Sequence, residues 1–184
     1  MKKIIYLTGA PGSGKTSVAR EFHGEGFEVF YELVEKFPAK KFPEPRSYDT
    51  SKYIFEQNVK RDKLIKMSKK DIIIVDRHPH ECILITKGLL KNKEDFDKIE
   101  KLYLGHTFCD GKIVKIICPK KTHKKRYLSK EINLINKSMI YDASESFKDY
   151  NQYFDPDFKI KSDNMGPREI YLSIIKNVLS DKDY

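Results

Sequence analysis

The chain has 184 residues, enough to bury one domain's core and short for two. At 39% hydrophobic and 34% charged residues it is not disordered by composition, and no run nears the roughly 18 apolar residues of a membrane-spanning helix. The formal charge of +9 rests on 30 Lys against 6 Arg; such a field draws in polyanions, but so few arginines do not favour a base-reading nucleic-acid surface.

In chain order, the apolar run Ile4-Ile5-Tyr6-Leu7 predicts a buried strand, and Ser17 to Phe22 predict a helix. Between them lies Gly9-Ala10-Pro11-Gly12-Ser13-Gly14-Lys15-Thr16, a complete G-x-x-x-x-G-K-[ST] phosphate-binding loop followed by Ser17. Its glycines let several backbone N–H groups converge on one anion, and the helix N-terminus adds its dipole. Lys15 is expected to reach the β- and γ-phosphates of ATP, and the Thr16 hydroxyl to bind Mg²⁺. Phe27 to Tyr31 predict a second strand, and Pro38, Pro43 and Pro45 an irregular stretch after it. Residues from about Thr50 to Ser68 carry a helical apolar pattern.

The most hydrophobic run, Ile72-Ile73-Ile74-Val75, is uninterrupted and β-branched, as in a parallel strand covered on both faces. Helical material follows from His80 to Leu104 with a break near Lys91 to Lys93. A strand over Lys112 to Cys118 closes at Pro119, helical sequence covers Thr122 to Tyr153, and Phe158 to Lys161 predict a last short strand. Gly166-Pro167-Arg168 opens a closing helix to about Leu179. Alternating strands and helices predict an α/β, three-layer P-loop NTPase fold, with a mostly five-stranded parallel sheet, helices on both faces and one domain over 1–184.

Asp76-Arg77-His78 ends the buried strand, and ligands of a parallel sheet bind at the carboxyl ends of strands. Asp76 there is expected to hold Mg²⁺ through water, and Arg77 to clamp a transferring phosphoryl group. Glu32, at the end of the second strand, is the candidate general base. Gln57 carries an amide that can read a base edge, with Tyr53 and Phe55 beside it as stacking surfaces or core.

These residues carry a resemblance. The phosphate loop followed by Asp-Arg-His after the third strand resembles the deoxynucleoside kinase and thymidylate kinase group of P-loop kinases, and Asp76-Arg77-His78-Pro79 is particularly similar to the motif of herpesviral thymidine kinases. The segment Glu32-Leu33-Val34-Glu35-Lys36-Phe37 is similar to the family's Glu-Pro-Val-Glu-x-Trp, whose first glutamate is the base, although Leu33 replaces the proline and Phe37 the tryptophan. Phe55-Glu56-Gln57 stands one residue out of register with the Phe-Gln pair that holds the base edge. The basic stretch Lys120 to Lys130, with Arg126, corresponds to the arginine-bearing lid, here at about 119–131. The resemblance implies ATP- and Mg²⁺-dependent transfer of a phosphoryl group to a nucleoside or nucleoside monophosphate, with Lys15, Glu32, Arg77 and Arg126 in catalysis and Glu32, Phe55, Gln57 and Arg77 on the substrate. It is compatible with a homodimer. A second resemblance, to the ribosylnicotinamide kinase domain, leaves that acceptor open, and the basic surface leaves open a polynucleotide 5′-kinase. An ATPase or switch without a small acceptor is the rival class.

Other patterns point away from rival chemistries. His78-Pro79-His80 lacks further ligands at metal spacing. Asn92-Lys93-Glu94-Asp95 matches the N-K-x-D of GTPases but follows no strand, and Arg77 stands where an AAA⁺ or helicase motor has the second acid of an Asp-Glu pair. Cys82, Cys109 and Cys118 form no CxxC and read as reduced thiols, and no apolar leader follows Met1. A cytoplasmic protein is expected.

Overall fold

The computed structural model describes residues 2–32, 44, 46–119, 148 and 150–179. Among the described residues five strands form one all-parallel sheet: β1 (Lys3–Thr8), β2 (Glu28–Phe30), β3 (Ile72–Asp76), β4 (Lys112–Ile117) and β5 (Phe158–Lys161), in the spatial order β2-β3-β1-β4-β5. β1 is central, pairing Leu7 with Asp76 of β3 on one side and with Val114 of β4 on the other. That register sets the end of β3 beside the exit of β1, where the phosphate loop begins.

Alternation along the strands divides the core. Ile5 and Leu7 of β1, Ile74, Val114 and Ile116 face α1 (Lys15–Gly24) and α6 (Pro167–Ile174), meeting Val18, Ala19, Phe22, Ile170 and Ile174. Ile4, Tyr6, Ile73 and Val75 face the other way, toward Ile65 of α2 (Tyr48–Met67). On that side α3 (Glu81–Leu89) and α4 (Lys93–Leu104) share a cluster through Cys82, Ile83, Ile99 and Tyr103. The short helix α5 (Tyr150–Tyr153) joins Leu84 of α3 through Tyr150, with Phe154 just beyond it. The three layers match the sequence expectation.

Local chemistry accounts for the boundaries. The Ser47 hydroxyl caps α2 by accepting the Thr50 N–H at 3.2 Å, so the helix starts two residues before its apolar pattern does. Asn92 caps α4 by accepting the Glu94 N–H at 2.9 Å, which gives the N-K-x-D match a purely helical explanation. Pro167 opens α6, with the Glu169 carboxylate taking the Gly166 N–H at 2.6 Å, and the helix runs on as a π-helical turn over Ile175–Leu179. The proline stretch at 38, 43 and 45, the helical region from 122 to 147 and the lid from 120 onward lie outside the described residues, and Arg126 with them.

Candidate active site

The site begins where β1 runs out. Gly9 has φ 137°, and a Cβ there would lie 2.4 Å from the Ile116 carbonyl oxygen of β4, so both conformation and space demand glycine. Gly12 and Gly14 also take positive φ, 86° and 106°, and the Ser13 N–H closes a turn on the Ala10 carbonyl at 3.0 Å. The loop wraps back into α1, whose first residue is Lys15. Ala10, Pro11, Gly12, Gly14 and Thr16 are half-buried, Ser13 is buried and Ser17 is exposed.

Lys15 is buried, and its ammonium donates to the loop's own carbonyls, Gly9 at 2.6 Å and Ala10 at 3.1 Å. Burial, and then the neighbouring Arg77, lower its pKa to about 8. The Thr16 hydroxyl donates to Asp76 Oδ2 at 2.7 Å, joining the start of α1 to the end of β3. The other oxygen, Asp76 Oδ1, is buried and has no hydrogen-bond partner among the described residues. A buried carboxylate oxygen without a donor is costly, and a hard cation is what such an oxygen accepts. Burial, with Glu32 nearby, pushes the Asp76 carboxyl up. Thr16 and Asp76 thus fit a Mg²⁺ ion.

Arg77 follows with φ 77°, in the left-handed region where non-glycine residues are uncommon. Its N–H is fixed on the Leu7 carbonyl at 3.0 Å, and that backbone turn sends the side chain across the mouth of the loop. Arg77 Nε donates to Glu32 Oε1 at 2.6 Å, and Nη1 to Glu81 Oε2 at 3.2 Å, with the guanidinium only 4% exposed. Burial opposes the charge of Glu32, but Arg77 and then Lys15 outweigh it and hold the carboxyl below its ordinary range. Burial likewise opposes the charge of Arg77, and the two glutamates more than compensate. The structure therefore brings together Lys15, Thr16, Glu32, Asp76 and Arg77: two cations, a hydroxyl–carboxylate pair and a second carboxylate at the mouth of the loop.

The remaining candidates sit farther back. Phe55 is half-buried, its ring edge-on to Tyr103 at 4.9 Å and to His106 at 6.0 Å, in the cluster joining α2 and α4. Tyr53 and Gln57 are half-buried on α2, Gln57 one turn before Arg61 and on its side of the helix. His78 and His80 belong to an aromatic cluster. His78 lies 4.4 Å from Tyr6 and 5.3 Å from Phe154, its Nδ1 accepts the His80 N–H at 3.2 Å, and no group of three metal-ligating side chains exists among the described residues.

Two site residues escape sequence reasoning. Arg61 is buried in α2 and donates to the Asp76 carbonyl at 3.0 Å, the Arg77 carbonyl at 2.9 Å and the Tyr31 carbonyl at 3.3 Å, clamping the ends of β2 and β3. Its signal was the polar trio Asn58, Arg61 and Asp62 at helical spacing beside Ile65 on the buried face. Glu81 reads as an ordinary acid in the first turn of a helix, yet it is fully buried, and its Oε1 accepts the Gly9 N–H at 2.6 Å.

Comparison with known proteins agrees with this geometry. No curated protein matches the chain. Among solved structures, deoxyadenosine kinase from M. mycoides with bound dATP superposes with a TM-score of 0.76 at 18% identity, covering 96% of this chain and 100% of that one. The same enzyme with its products dCMP and dCDP gives 0.74 at 19% identity, over 96% and 98% of the two chains. Thymidylate kinase from Candida albicans gives 0.70 at 12% identity, over 98% of this chain and 92% of its own. The family model described as AAA domain matches residues 4–98, from β1 and the phosphate loop through β3 and α3 into α4. With just over half its length matched, the chain belongs to the AAA domain family, although Arg77 stands in place of the second acid of a motor's Asp-Glu pair, and it has the P-loop fold of deoxyadenosine kinase and thymidylate kinase.

Proposed function

We propose that the protein is a phosphotransferase that moves the γ-phosphoryl group of ATP to a nucleoside or nucleoside monophosphate. The observation that carries this reading is Arg77, held between two carboxylates beside Lys15 and the Thr16–Asp76 pair. A loop that only stored a nucleotide needs no second cation and carboxylate across its mouth, whereas phosphoryl transfer uses both. The kinase fold and the order of the motifs support the same reading.

In this mechanism the loop N–H groups and the α1 N-terminus bind the phosphates, and Lys15 leaves the Gly9 and Ala10 carbonyls for them. Thr16 and Asp76 would hold Mg²⁺, which would supply positive charge to offset that of the phosphates. The acceptor hydroxyl oxygen forms its bond to the γ-phosphorus as the bond to the β,γ-bridging oxygen breaks, and ADP leaves. The hydroxyl proton goes to Glu32. In the free protein that carboxylate is ion-paired with Arg77 at 2.6 Å, and a γ-phosphoryl group competing for the guanidinium frees it to accept the proton. A monophosphate acceptor is already ionised at neutral pH, and Glu32 then orients a sugar hydroxyl. The half-buried Gln57 is the proposed contact to the base, while Phe55 supports the wall behind it; Arg126 is proposed to act from a lid.

The test is ADP release by purified protein with ATP and Mg²⁺ against nucleosides, monophosphates, nicotinamide riboside and 5′-hydroxyl oligonucleotides. A single acceptor that raises turnover many times over background establishes the kinase and names its branch. Hydrolysis that no acceptor accelerates refutes the proposal in favour of an ATPase or switch.

A further inference from the structure

Glu81 enters α3 at a place where an acid is usually explained by the helix dipole, with its carboxylate in solvent. Here the side chain turns inward and is fully buried. Each oxygen serves a different partner: Oε1 takes the Gly9 N–H at 2.6 Å, and Oε2 takes Arg77 Nη1 at 3.2 Å. Neither partner can drift. Gly9 is pinned by its φ of 137° and by the Ile116 carbonyl, and Arg77 by its left-handed backbone and its bond to Leu7. The same Gly9 residue offers its carbonyl to Lys15 at 2.6 Å. One glycine therefore links the two cations: Arg77 through Glu81 on its N–H side, and Lys15 on its C=O side.

We propose that Glu81 is a positioning residue that couples the phosphate loop to Arg77, holding the guanidinium in fixed relation to Gly9 so that Arg77 and Lys15 address one phosphate chain together. The inference rests on the kinase reading for its catalytic consequence, but its geometric content stands apart from it. Arg77 is clamped on two sides, by Glu32 just after β2 and by Glu81 from α3, and Glu81 also takes the Gly9 N–H of the loop. The titratable and charged groups facing Glu81 are Arg77, Lys15, Glu32, Lys115 from β4 and the Tyr150 phenol from α5. Burial lifts its carboxyl against the pull of Arg77 and Lys15, so the grip on Arg77 is set by the balance of this cluster.

Two variants separate positioning from a merely structural ion pair. Glu81→Gln keeps the length and an acceptor for the Gly9 N–H but loses the charge that holds Arg77. Glu81→Asp keeps the charge but is one methylene too short to span both partners. The first readout is the Arg77 guanidinium in ¹⁵N NMR of the nucleotide-free protein, assigned through Arg77→Lys. Restricted rotation of its Nη groups in the wild type and averaging in Glu81→Gln is the expected result. The second is turnover against ATP affinity: kcat is expected to fall roughly 10- to 100-fold, with ATP Kd changing far less. The pH dependence of kcat below neutrality should also flatten in Glu81→Gln.

A guanidinium that stays locked in both variants overturns the proposal, as does a lowered melting temperature with full kcat. If Glu81→Gln does not fold, Glu81→Asp decides by the same two readouts. If the wild type turns over no acceptor, the kinase reading fails, and the NMR arm still confirms or overturns the coupling.

Discussion

Arg77 permits a test in which backbone and side chain separate. Replacing it with Ala or Gly deletes the same guanidinium, leaving Glu32 and the fully buried Glu81 without their shared cation. Removing one partner of a buried ion pair costs about 3–5 kcal/mol, and both variants carry that loss. They differ in the backbone. At the observed φ of 77° an L-residue carries about 1–2 kcal/mol of left-handed strain, which glycine does not. Glycine's extra freedom in the unfolded chain returns roughly 0.5–1 kcal/mol of that advantage. Arg77→Gly is therefore expected to be the more stable variant by about 1 kcal/mol, the reverse of the Gly–Ala order in a helix or strand. For a chain of this size that is roughly 2–4 °C in melting temperature. Urea unfolding followed by circular dichroism at pH 8 measures the gap. Since the uncompensated carboxylates protonate in acid, the deficit of both variants relative to wild type should shrink at pH 5. An Ala variant as stable as the Gly variant, or more so, would refute the claim that this turn is strained. Turnover should fall in both on the order of 10²–10³ with little change in ATP affinity, whereas a change in KM alone would reduce Arg77 to substrate positioning.

Lys15→Ala is expected to abolish phosphoryl transfer, and unchanged ADP release would remove the loop assignment. Thr16→Val breaks the bond to Asp76 and should raise the Mg²⁺ concentration for half-maximal turnover without weakening metal-free ATP binding; a metal titration reads this directly. Burial lowers the His78 pKa from 6.5 to about 3, so the unfolded chain takes up a proton that the folded one refuses. His78's contribution to stability is complete above pH 6.5 and is lost below it, at about 1.4 kcal/mol per pH unit until the folded pKa is reached. His78→Phe, which keeps a ring against Tyr6 and Phe154, should flatten that acid limb in melting curves from pH 7 to pH 4.

Much of the molecule was legible from residues close in sequence. The phosphate loop is local chemistry, in which glycines at set intervals take positive φ, a lysine follows, and a helix starts at once. The strand at Ile72–Asp76 announced itself because a strand covered on both faces has no polar side to show. Asp76 and Arg77 could be assigned to the site because strand ends of a parallel sheet share one edge. The register of β1 against β3 then decided which atoms meet, putting Thr16 on Asp76 and Arg77 on the Leu7 carbonyl. Phe55 shows where periodicity runs short, since an aromatic at helical spacing suits a ligand wall or a core equally, and the approach of α4 through Tyr103 placed it in a cluster. Glu81 and Arg61 were out of reach for the same reason. Each is an unremarkable charged residue on a helix until the fold excludes water around it. A buried charge must find partners, and those of Glu81 lie 72 residues away at Gly9 and four away at Arg77. Sequence by itself determined the strand and helix order of the described residues and the glycine-built loop, because backbone propensity and motif geometry are local. Tertiary packing alone decided which carboxylates hold the arginine, because desolvation is a property of the whole fold.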